Sequence, residues 1–241
     1  MCSRFEYLPC DEQLSAVEQT LGCDVRQELS RYPANRDVRP TQPIPIIRWM
    51  SGEYPRVISA CWGFVPPRGS TDESEPTFNV DIEHIDSHAI WRYAWRSARC
   101  LIPATGWYEP TPTATRGTGA HTTDQPLCLA STRALPRSVA DASGQIMMLA
   151  GLHGFFSTEL GCREIVSILT CPAPSDVDWP QPRMPCVVAS KAWKKWLYPY
   201  ATEPCRVDAL LLHEDTWIET RLVTQRIKIY ALENNLCQKC T

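Results

Sequence analysis

The chain has 241 residues, of which 44% are hydrophobic and 21% charged, enough to bury a sizeable core in one large domain or two small ones. Its 24 Lys and Arg residues against 27 Asp and Glu give a formal charge of −3, which excludes nucleic-acid binding through bulk positive charge and leaves only a local patch. No stretch approaches the about 18 apolar residues of a membrane span, and the charges at Arg4, Glu6, Asp11 and Glu12 exclude a signal peptide. We therefore expect a cytoplasmic protein that does not contact a membrane.

The first predicted element is a helix that begins at Asp11, which can cap it, and buries Leu14, Val17 and Leu21 at three-to-four spacing. Short apolar runs bounded by Pro, Gly or charge follow, and these predict strands. The runs are residues 44–49, 57–62, 100–104, 127–131, 146–152 and 165–170.

Two further helices are predicted between and after the strands. One is capped by Ser87 and runs to about Ser97, and the other begins at Ser190. In the first, we expect Ile90, Tyr93, Ala94 and Ser97 to face inward and Arg92, Arg96 and Arg99 to lie mostly outside. In the second, we expect Trp193, Trp196 and Leu197 to face inward and Lys191, Lys194 and Lys195 to stay in solvent.

The spacing of these elements favours one fold class. Residues 68–77 and 111–125 read as surface loops that are too short to separate domains. The strands are too closely spaced for helical crossovers, which favours antiparallel pairing. The sequence therefore predicts an α+β fold, a single compact domain over residues 1–241 with a β-rich, mainly antiparallel, barrel-like sheet and flanking helices.

Cys2 could act as a nucleophile through two groups. Initiator Met is normally removed before a small side chain, which would leave Cys2 with an α-amine and a thiol on adjacent carbons. Such an amine, with a pKa of about 7.7 to 8.0, can add to an aldehyde to give a Schiff base. The thiol can then close on the imine to form a thiazolidine, which no internal Cys can do. Cys2 is one of 12 cysteines, however, and an ordinary buried thiol is the plainer interpretation from its position alone.

Cys237 and Cys240 have the spacing of a metal or redox pair, but no second pair or His cluster lies near them to complete four ligands. We therefore expect no metal and no other cofactor.

Several short motifs occur in order from residue 2 to about residue 198. They are Cys2-Ser3-Arg4-Phe5, Trp62-Gly63, Phe78-Asn79, the run from Arg99 to Ala104 leading into Gly106-Trp107-Tyr108-Glu109, and Pro182-Arg183-Met184-Pro185. In this combination the chain resembles the SOS-response-associated peptidase (SRAP) family, the abasic-site-processing proteins. We expect residues 218–241, beyond the motif region, to form a peripheral C-terminal tail.

The resemblance implies a DNA-damage protein that recognises abasic sites in single-stranded DNA and crosslinks its N-terminal Cys to the ring-opened aldehyde through a thiazolidine. It implies a positively charged groove, and we expect a monomer without a cofactor that works at the nucleoid. Family members with residues before the Cys are thought to remove them by self-cleavage, a hydrolase activity, and lyase chemistry belongs to the same site. Here only Met1 precedes Cys2, so an aminopeptidase could do that work.

By the same resemblance the catalytic residues are Cys2, Asn79 and Glu109. Glu109 follows two aromatic residues, where desolvation would raise its pKa and let it shuttle a proton. Asn79 could hold the deoxyribose hydroxyl or orient the terminal amine. Taken alone, the first could be a solvated strand-end Glu and the second a turn residue.

The DNA-binding residues implied are Arg4, Trp62 and Arg183. The two arginines could grip phosphates that flank the lesion, and Trp62 could stack on a neighbouring base. Each has an alternative interpretation, which is a surface ion pair for the arginines and core burial for the tryptophan.

The chain departs from the family pattern at three positions. Gln181 stands where the family has a His held to assist opening of the sugar ring, and Gln cannot transfer a proton at neutral pH. Asp81 replaces an Arg that would contact DNA, and Ser3 replaces a Gly. These changes predict a slower or retargeted variant. His153 could compensate, although a hydrogen-bonded structural role is the favoured interpretation.

Two other classes of function stay open. The chain could be a non-covalent single-stranded DNA-binding module whose site is degenerate at Asp81 and Gln181. A Cys peptidase acting in trans is the third class, but no Cys has a credible His and Asn or Asp set in the sequence.

Overall fold

The computed structural model describes residues 2–50, 54–63, 77–87, 89–109, 137–140, 144–158, 161–173, 182–199 and 228–231. The strands are β1 Phe5–Tyr7, β2 Asn35–Val38, β3 Pro43–Trp49, β4 Pro55–Trp62, β5 Asn79–Asp81, β6 Arg99–Ala104, β7 Gly106–Glu109, β8 Arg137–Ala140, β9 Met147–Thr158, β10 Gly161–Pro172, β11 Arg183–Pro185 and β12 Lys228–Ala231. The helices are α1 Asp11–Leu21, α2 Arg26–Ser30, α3 Ala89–Ser97 and α4 Trp193–Leu197, with 3-10 turns at Ile82–Ser87 and Ser190–Ala192.

The strands form two sheets. The first has the order β12-β8-β7-β1-β2, and the second has the order β11-β10-β4-β3-β6-β9 with β5 beside β10. Because β9 also pairs with β10, strands β10, β4, β3, β6 and β9 close into a ring. This arrangement confirms the predicted α+β class and the barrel-like, mainly antiparallel sheet.

Two pairings differ from the antiparallel expectation. Strand β10 runs parallel to β4, with Val166 opposite Trp62, and parallel to β5, with Ile168 opposite Asn79. Strands β4 and β10 are far apart in the chain, so local turn signals could not reveal that they pair. This parallel register positions the candidate site, since it sets Asn79 beside the middle of β10.

The core lies inside the ring and under the first sheet. Strand β6 is buried at all six positions, as expected for a strand covered on both faces. Helix α1 buries Leu14, Val17 and Leu21 as predicted, although Cys10 and not Asp11 is its N-cap residue. The backbone N–H of Cys10 donates to Gln13 Oε1 at 2.9 Å. Four of the other five predicted strands lie inside longer observed ones, and the run 146–152 begins one residue before β9, whereas residues 127–131 fall outside the described residues.

The predicted inward face of α3 is partly wrong. Tyr93 is 71% exposed and Ser97 is exposed, whereas Trp95 is buried and its ring packs edge-on against Trp196 at 5.7 Å. The larger indole takes the inward position because it fills more of the space against α4. Arg99 was also misassigned, since only 2% of it is exposed.

Helix α4 follows the prediction, with Trp193, Trp196 and Leu197 buried and its lysines exposed. Across the described residues, no helix has both the length and the apolar composition needed to cross a bilayer.

Candidate functional site

Cys2 and Asn79 meet although 77 positions separate them. Only 1% of Cys2 is exposed, and its backbone carbonyl accepts a hydrogen bond of 2.8 Å from Asn79 Nδ2. Asn79 begins β5 and is placed by its parallel pairing opposite Ile168 of β10. Two residues that the sequence assigns to the catalytic set therefore lie together.

The second polar atom of the Asn79 amide has no hydrogen-bond partner among the described residues. Its Oδ1 is buried, and an unsatisfied buried acceptor costs about 1 to 3 kcal/mol. Such an atom in a folded protein calls for an explanation. An acceptor beside the terminal residue can receive a hydrogen bond from an α-amine or from a sugar hydroxyl.

Trp62 is buried in the core and does not form a binding surface. The side chain is fully buried, its Nε1 donates to the Phe78 carbonyl at 3.0 Å, and its ring lies 5.2 Å from that of Phe5. Gly63 follows with a φ of +103°, and a Cβ there would lie 2.2 Å from the Phe78 ring. The predicted stacking of Trp62 on a base is corrected on this geometry, because no face of the indole is exposed, and core burial is the role observed.

Arg183, predicted to grip a phosphate, is held by two carboxylates. Its Nε lies 2.9 Å from Asp81 Oδ1 and its Nη2 lies 2.7 Å from Glu83 Oε2. The same Nη2 donates to the Thr170 carbonyl at 2.9 Å, and the Thr170 hydroxyl donates to Asp81 at 2.6 Å. Burial alone would raise the pKa of Glu83, but the hydrogen bonds and charge of Arg183 hold it below its ordinary value.

The acidic replacement noted at Asp81 therefore has a structural partner. Asp81 and Glu83 are two carboxylates against the one arginine between them, and His84 Nδ1 also lies 3.8 Å from Asp81 Oδ2, so the positive charge of Arg183 is fully matched. In this arrangement Arg183 serves as an ion-pair partner, the alternative that the sequence left open.

Arg4 lies on the other side of the N-terminus. Its Nε is 2.7 Å from Asp37 Oδ1, and its guanidinium carbon lies 4.2 Å from the centre of the Tyr108 ring. The Tyr108 hydroxyl donates to Glu6 Oε2 at 3.0 Å. Burial and the adjacent Glu6 raise the pKa of Tyr108 to about 12, so it stays a neutral hydrogen-bond donor at physiological pH. Arg4 is thus held in place with 29% of its side chain exposed.

Two predicted residues are placed only in part. Glu109 ends β7, where its backbone pairs with Arg137 of β8, but its side chain lies outside the described part of the structure. Gln181 also lies outside the described residues. Their predicted roles stay predictions.

His153 belongs to a buried ionic cluster. Its Nδ1 lies 3.2 Å from Glu164 Oε1, and the same oxygen lies 2.7 Å from Arg48 Nε. The side chains of these three residues are 8% to 14% exposed. The contact with Glu164 supports the structural interpretation of His153.

Sequence reasoning missed the partners of the arginines. Glu83 stands in the family's Asn-x-Arg-x-Glu pattern, but the pattern does not show that it pairs with Arg183, and Asp37 carries no motif. For Thr170, the sequence offered only its position on the predicted strand that became β10. Within the described ranges, no group of three or more His, Cys, Asp or Glu residues is placed to hold a metal ion.

Comparison with protein-family models identifies the family to which this fold and site belong. The family model for the SOS response associated peptidase (SRAP) matches residues 1–229. The chain therefore belongs to this family.

Among curated proteins, the chain is similar to abasic site processing protein YoaM from Bacillus subtilis, at 26% identity over 89% of this chain and 87% of the relative. It is also similar to an abasic site processing protein from Saccharomyces cerevisiae, at 21% identity over 78% of this chain. The match spans only 45% of that yeast protein's own length.

Solved structures show the same fold. A protein from Bacteroides thetaiotaomicron superposes with a TM-score of 0.68 at 19% identity, covering 97% of this chain and 93% of that one. A protein from Bordetella bronchiseptica superposes with a TM-score of 0.63 at 20% identity, covering 96% of this chain and 100% of that one.

Proposed function

We propose that this protein processes abasic sites in single-stranded DNA and captures them covalently through Cys2. Three observations support the proposal, which are membership of the SRAP family, the names of the relatives and the geometry at the N-terminus. The geometry carries it furthest, because Asn79 anchors the Cys2 carbonyl and directs an unpartnered acceptor into the same buried region.

The reaction needs no external oxidant or reductant. After removal of Met1, the α-amine of Cys2 adds to the aldehyde carbon of the ring-opened sugar, and loss of water gives an imine. The thiol sulfur then bonds to the imine carbon, and its proton passes to the nitrogen. The product is a thiazolidine plus one water, with carbon–nitrogen and carbon–sulfur bonds formed and the carbon–oxygen double bond lost.

In this mechanism Asn79 positions the terminal residue. Its Nδ2 fixes the Cys2 carbonyl, and its Oδ1 accepts a hydrogen bond from the amine or the sugar hydroxyl. Glu109 is the proposed proton carrier for the addition of the amine and the loss of water. The peptidase activity of the family name is limited in this proposal to exposing Cys2, and lyase chemistry follows from the imine stage of the same site.

The test is a denaturing gel of protein incubated with abasic single-stranded DNA, after mass spectrometry has established whether Met1 is removed. We expect a shifted band with wild type and none with Cys2→Ala. Cys2→Ser keeps the amine, so borohydride should trap its imine, although no stable thiazolidine forms. An adduct that persists in Cys2→Ala would refute capture through Cys2.

The second candidate function is non-covalent binding of single-stranded DNA. The neutralisation of Arg183 by Asp81 and Glu83 favours it, because weaker phosphate binding at this position is expected in a family member whose catalytic site is degenerate. The same gel separates the two, since only covalent capture survives denaturation.

A further inference from the structure

An arginine patch lies on the outer face of the first sheet, next to the N-terminus. We define it as Arg4, Arg36 and Arg39. It arises from a bulge between β1 and β2, where Phe5 pairs with Val38 and Tyr7 pairs with Asn35. Two residues of β2 thus lie opposite the single residue Glu6, and such a bulge changes how side chains are directed. Phe5, Tyr7 and Val38 are buried, whereas Arg36 is exposed and its neighbour Asp37 is half-exposed.

Asp37 fixes two of the three guanidinium groups. Its Oδ1 lies 2.7 Å from Arg4 Nε and 2.8 Å from Arg39 Nε. The hydrogen bond from Arg39, joined by the charge of Arg4, holds the pKa of Asp37 below its ordinary value although partial burial opposes this. The guanidinium carbon of Arg4 also lies 4.2 Å from the centre of the Tyr108 ring. Arg4 and Arg39 are therefore held in place before any ligand arrives, and the exposed Arg36 lies beside Asp37 on the same strand.

The charge balance separates this patch from the Arg183 cluster. The patch has three arginines, and the carboxylates beside it among the described residues are Asp37 and Glu6, so arginines outnumber carboxylates. At the other cluster two carboxylates, Asp81 and Glu83, contact the one guanidinium of Arg183, so carboxylates outnumber arginines there. Exposure differs in the same direction, because the Arg39 side chain is 58% exposed and that of Arg183 is 20% exposed.

The patch also begins close to the reactive residue. Arg4 follows Cys2 by two residues, so their Cα atoms lie at most about 7 Å apart. The Arg4 carbonyl is fixed to β7 by a hydrogen bond of 3.0 Å from the Tyr108 N–H. A strand that enters at Cys2 therefore meets fixed guanidinium groups within a short distance, and guanidinium groups bind phosphates with directed hydrogen bonds.

We propose that the phosphates flanking the captured lesion lie across Arg4, Arg36 and Arg39, and that Arg183 makes no net phosphate contact. The inference rests on the proposed function for the identity of the ligand. It adds Arg36 and Arg39 to the binding surface and assigns the bulge in β2 a role in presenting them.

The experiment measures binding of a fluorescein-labelled oligothymidine strand by anisotropy over a series of salt concentrations. The double variant Arg36→Ala with Arg39→Ala should lower the slope of log affinity against log salt by about 1.4, or about 0.7 for each lost phosphate contact with a single strand. The matched control is Arg92→Ala with Arg96→Ala, which removes two exposed arginines from α3 and should leave the slope at the wild-type value. Thermal melts of both variants verify that each is folded.

An unchanged slope in the patch variant, or an equal fall in the control, would overturn the inference. Below saturation the patch variant should form adduct on abasic DNA more slowly, in proportion to its loss of affinity for the intact strand, because the phosphates are held less tightly. A rate that falls by more than the affinity does would place Arg36 and Arg39 in the covalent site and overturn their role as phosphate contacts. If wild type forms no adduct at all, the proposed function fails, while the salt slopes still decide the patch.

Discussion

Asn79 uses its amide nitrogen to hold Cys2 and leaves its amide oxygen for a second partner. Asn79→Asp should therefore slow adduct formation, because a carboxylate keeps an acceptor but cannot donate to the Cys2 carbonyl, and Asn79→Ala should slow it further, because it loses the acceptor as well. We expect a fall of about 10-fold, the rate equivalent of one lost buried hydrogen bond. A gel time course at saturating DNA measures it. If Asn79→Asp retains the wild-type rate, the oxygen matters and the anchor does not.

His153 is a residue whose contacts predict no role in the reaction. Because its imidazole is buried against Glu164, with Nδ1 3.2 Å from Oε1, His153→Ala should lower the melting temperature by leaving a cavity and leave the rate of adduct formation unchanged. The two readouts are a thermal melt and the same time course. A slower reaction in a variant that is still folded would make His153 the missing proton carrier.

Gln181 offers the complementary test of the family pattern. If it stands where a proton-transferring His belongs, Gln181→His should speed adduct formation, since acid–base groups contribute about 10²- to 10⁴-fold. The rate should then acquire an ionisation near the ordinary His pKa of about 6.5. A variant with the parental rate and pH profile would show that position 181 is not a catalytic gap.

Among the elements, Arg99 joins the ends of two helices. Its guanidinium donates to the carbonyls of Trp95 and Arg96 at the end of α3 and to those of Trp196 and Tyr198 at the end of α4. Burial lowers the pKa of Arg99 to about 10, so it stays charged at neutral pH. The helix C-termini, which carry partial negative charge, are suitable partners for a buried cation.

Arg99→Met should therefore destabilise the protein by about 3 kcal/mol or more, because several buried carbonyls lose their donor at once. The free energy of unfolding of Arg99→Lys should lie between those of wild type and Arg99→Met, since Lys keeps the charge but lacks the planar guanidinium. Urea unfolding measures both, with Arg96→Ala as an exposed control expected within about 0.5 kcal/mol of wild type. An Arg99→Met protein as stable as wild type would contradict the assigned role.

Removing the carboxylates around Arg183 should steepen the salt dependence of DNA binding, whereas removing a phosphate contact makes it shallower. Asp81→Asn combined with Glu83→Gln should free Arg183 and steepen the salt slope for single-stranded DNA by about 0.7, whereas Arg183→Ala in the wild-type background should leave the slope unchanged. Anisotropy titrations measure both. A weaker slope in Arg183→Ala would show that the carboxylates do not neutralise it.

For the whole molecule, lowered carboxyl pKa values predict loss of stability in acid. The folded pKa of Glu83 lies below its ordinary value of 4.5, so its ion pair contributes fully above that value and is lost as pH falls through the folded pKa. The folded pKa of Asp37 is also lowered, so its contribution to stability depends on pH in the same direction. Glu83→Gln should therefore lose less stability than wild type from about pH 5 to about pH 3, by under about 1 kcal/mol because the pair is partly exposed. Urea unfolding across this range measures the difference, and parallel curves would contradict it.

Every described strand of six residues or more was predicted, because apolar runs are local signals, whereas short strands such as β1, β2 and β5 were not. The inward face of α3 was not, since Tyr93 and Trp95 both suit a core and only packing against α4 decides between them. The buried state of Arg99 depends on two helix ends that meet it from different parts of the chain. Neither is visible in a window of sequence.

The candidate site was predictable to a similar degree. Cys2 and Asn79 were assigned from motifs, and the structure places them together. The roles of Arg183 and Trp62 were not, because a motif fixes a residue type and its position but not whether a carboxylate or the core has already taken its side chain. Asp81 illustrates this, since its partner becomes evident only when β5 pairs with β10.

The hydrogen bond between Asn79 and Cys2 has one more consequence. It ends on a backbone carbonyl, which every amino acid carries, and so it specifies a place and not a side chain. An N-terminal Ser, Thr or Ala installed by substitution at position 2 should therefore present its α-amine at the same point. The same site would then present different α-amines, and the side chain at position 2 would determine whether the aldehyde is bound reversibly as an imine or retained as a ring.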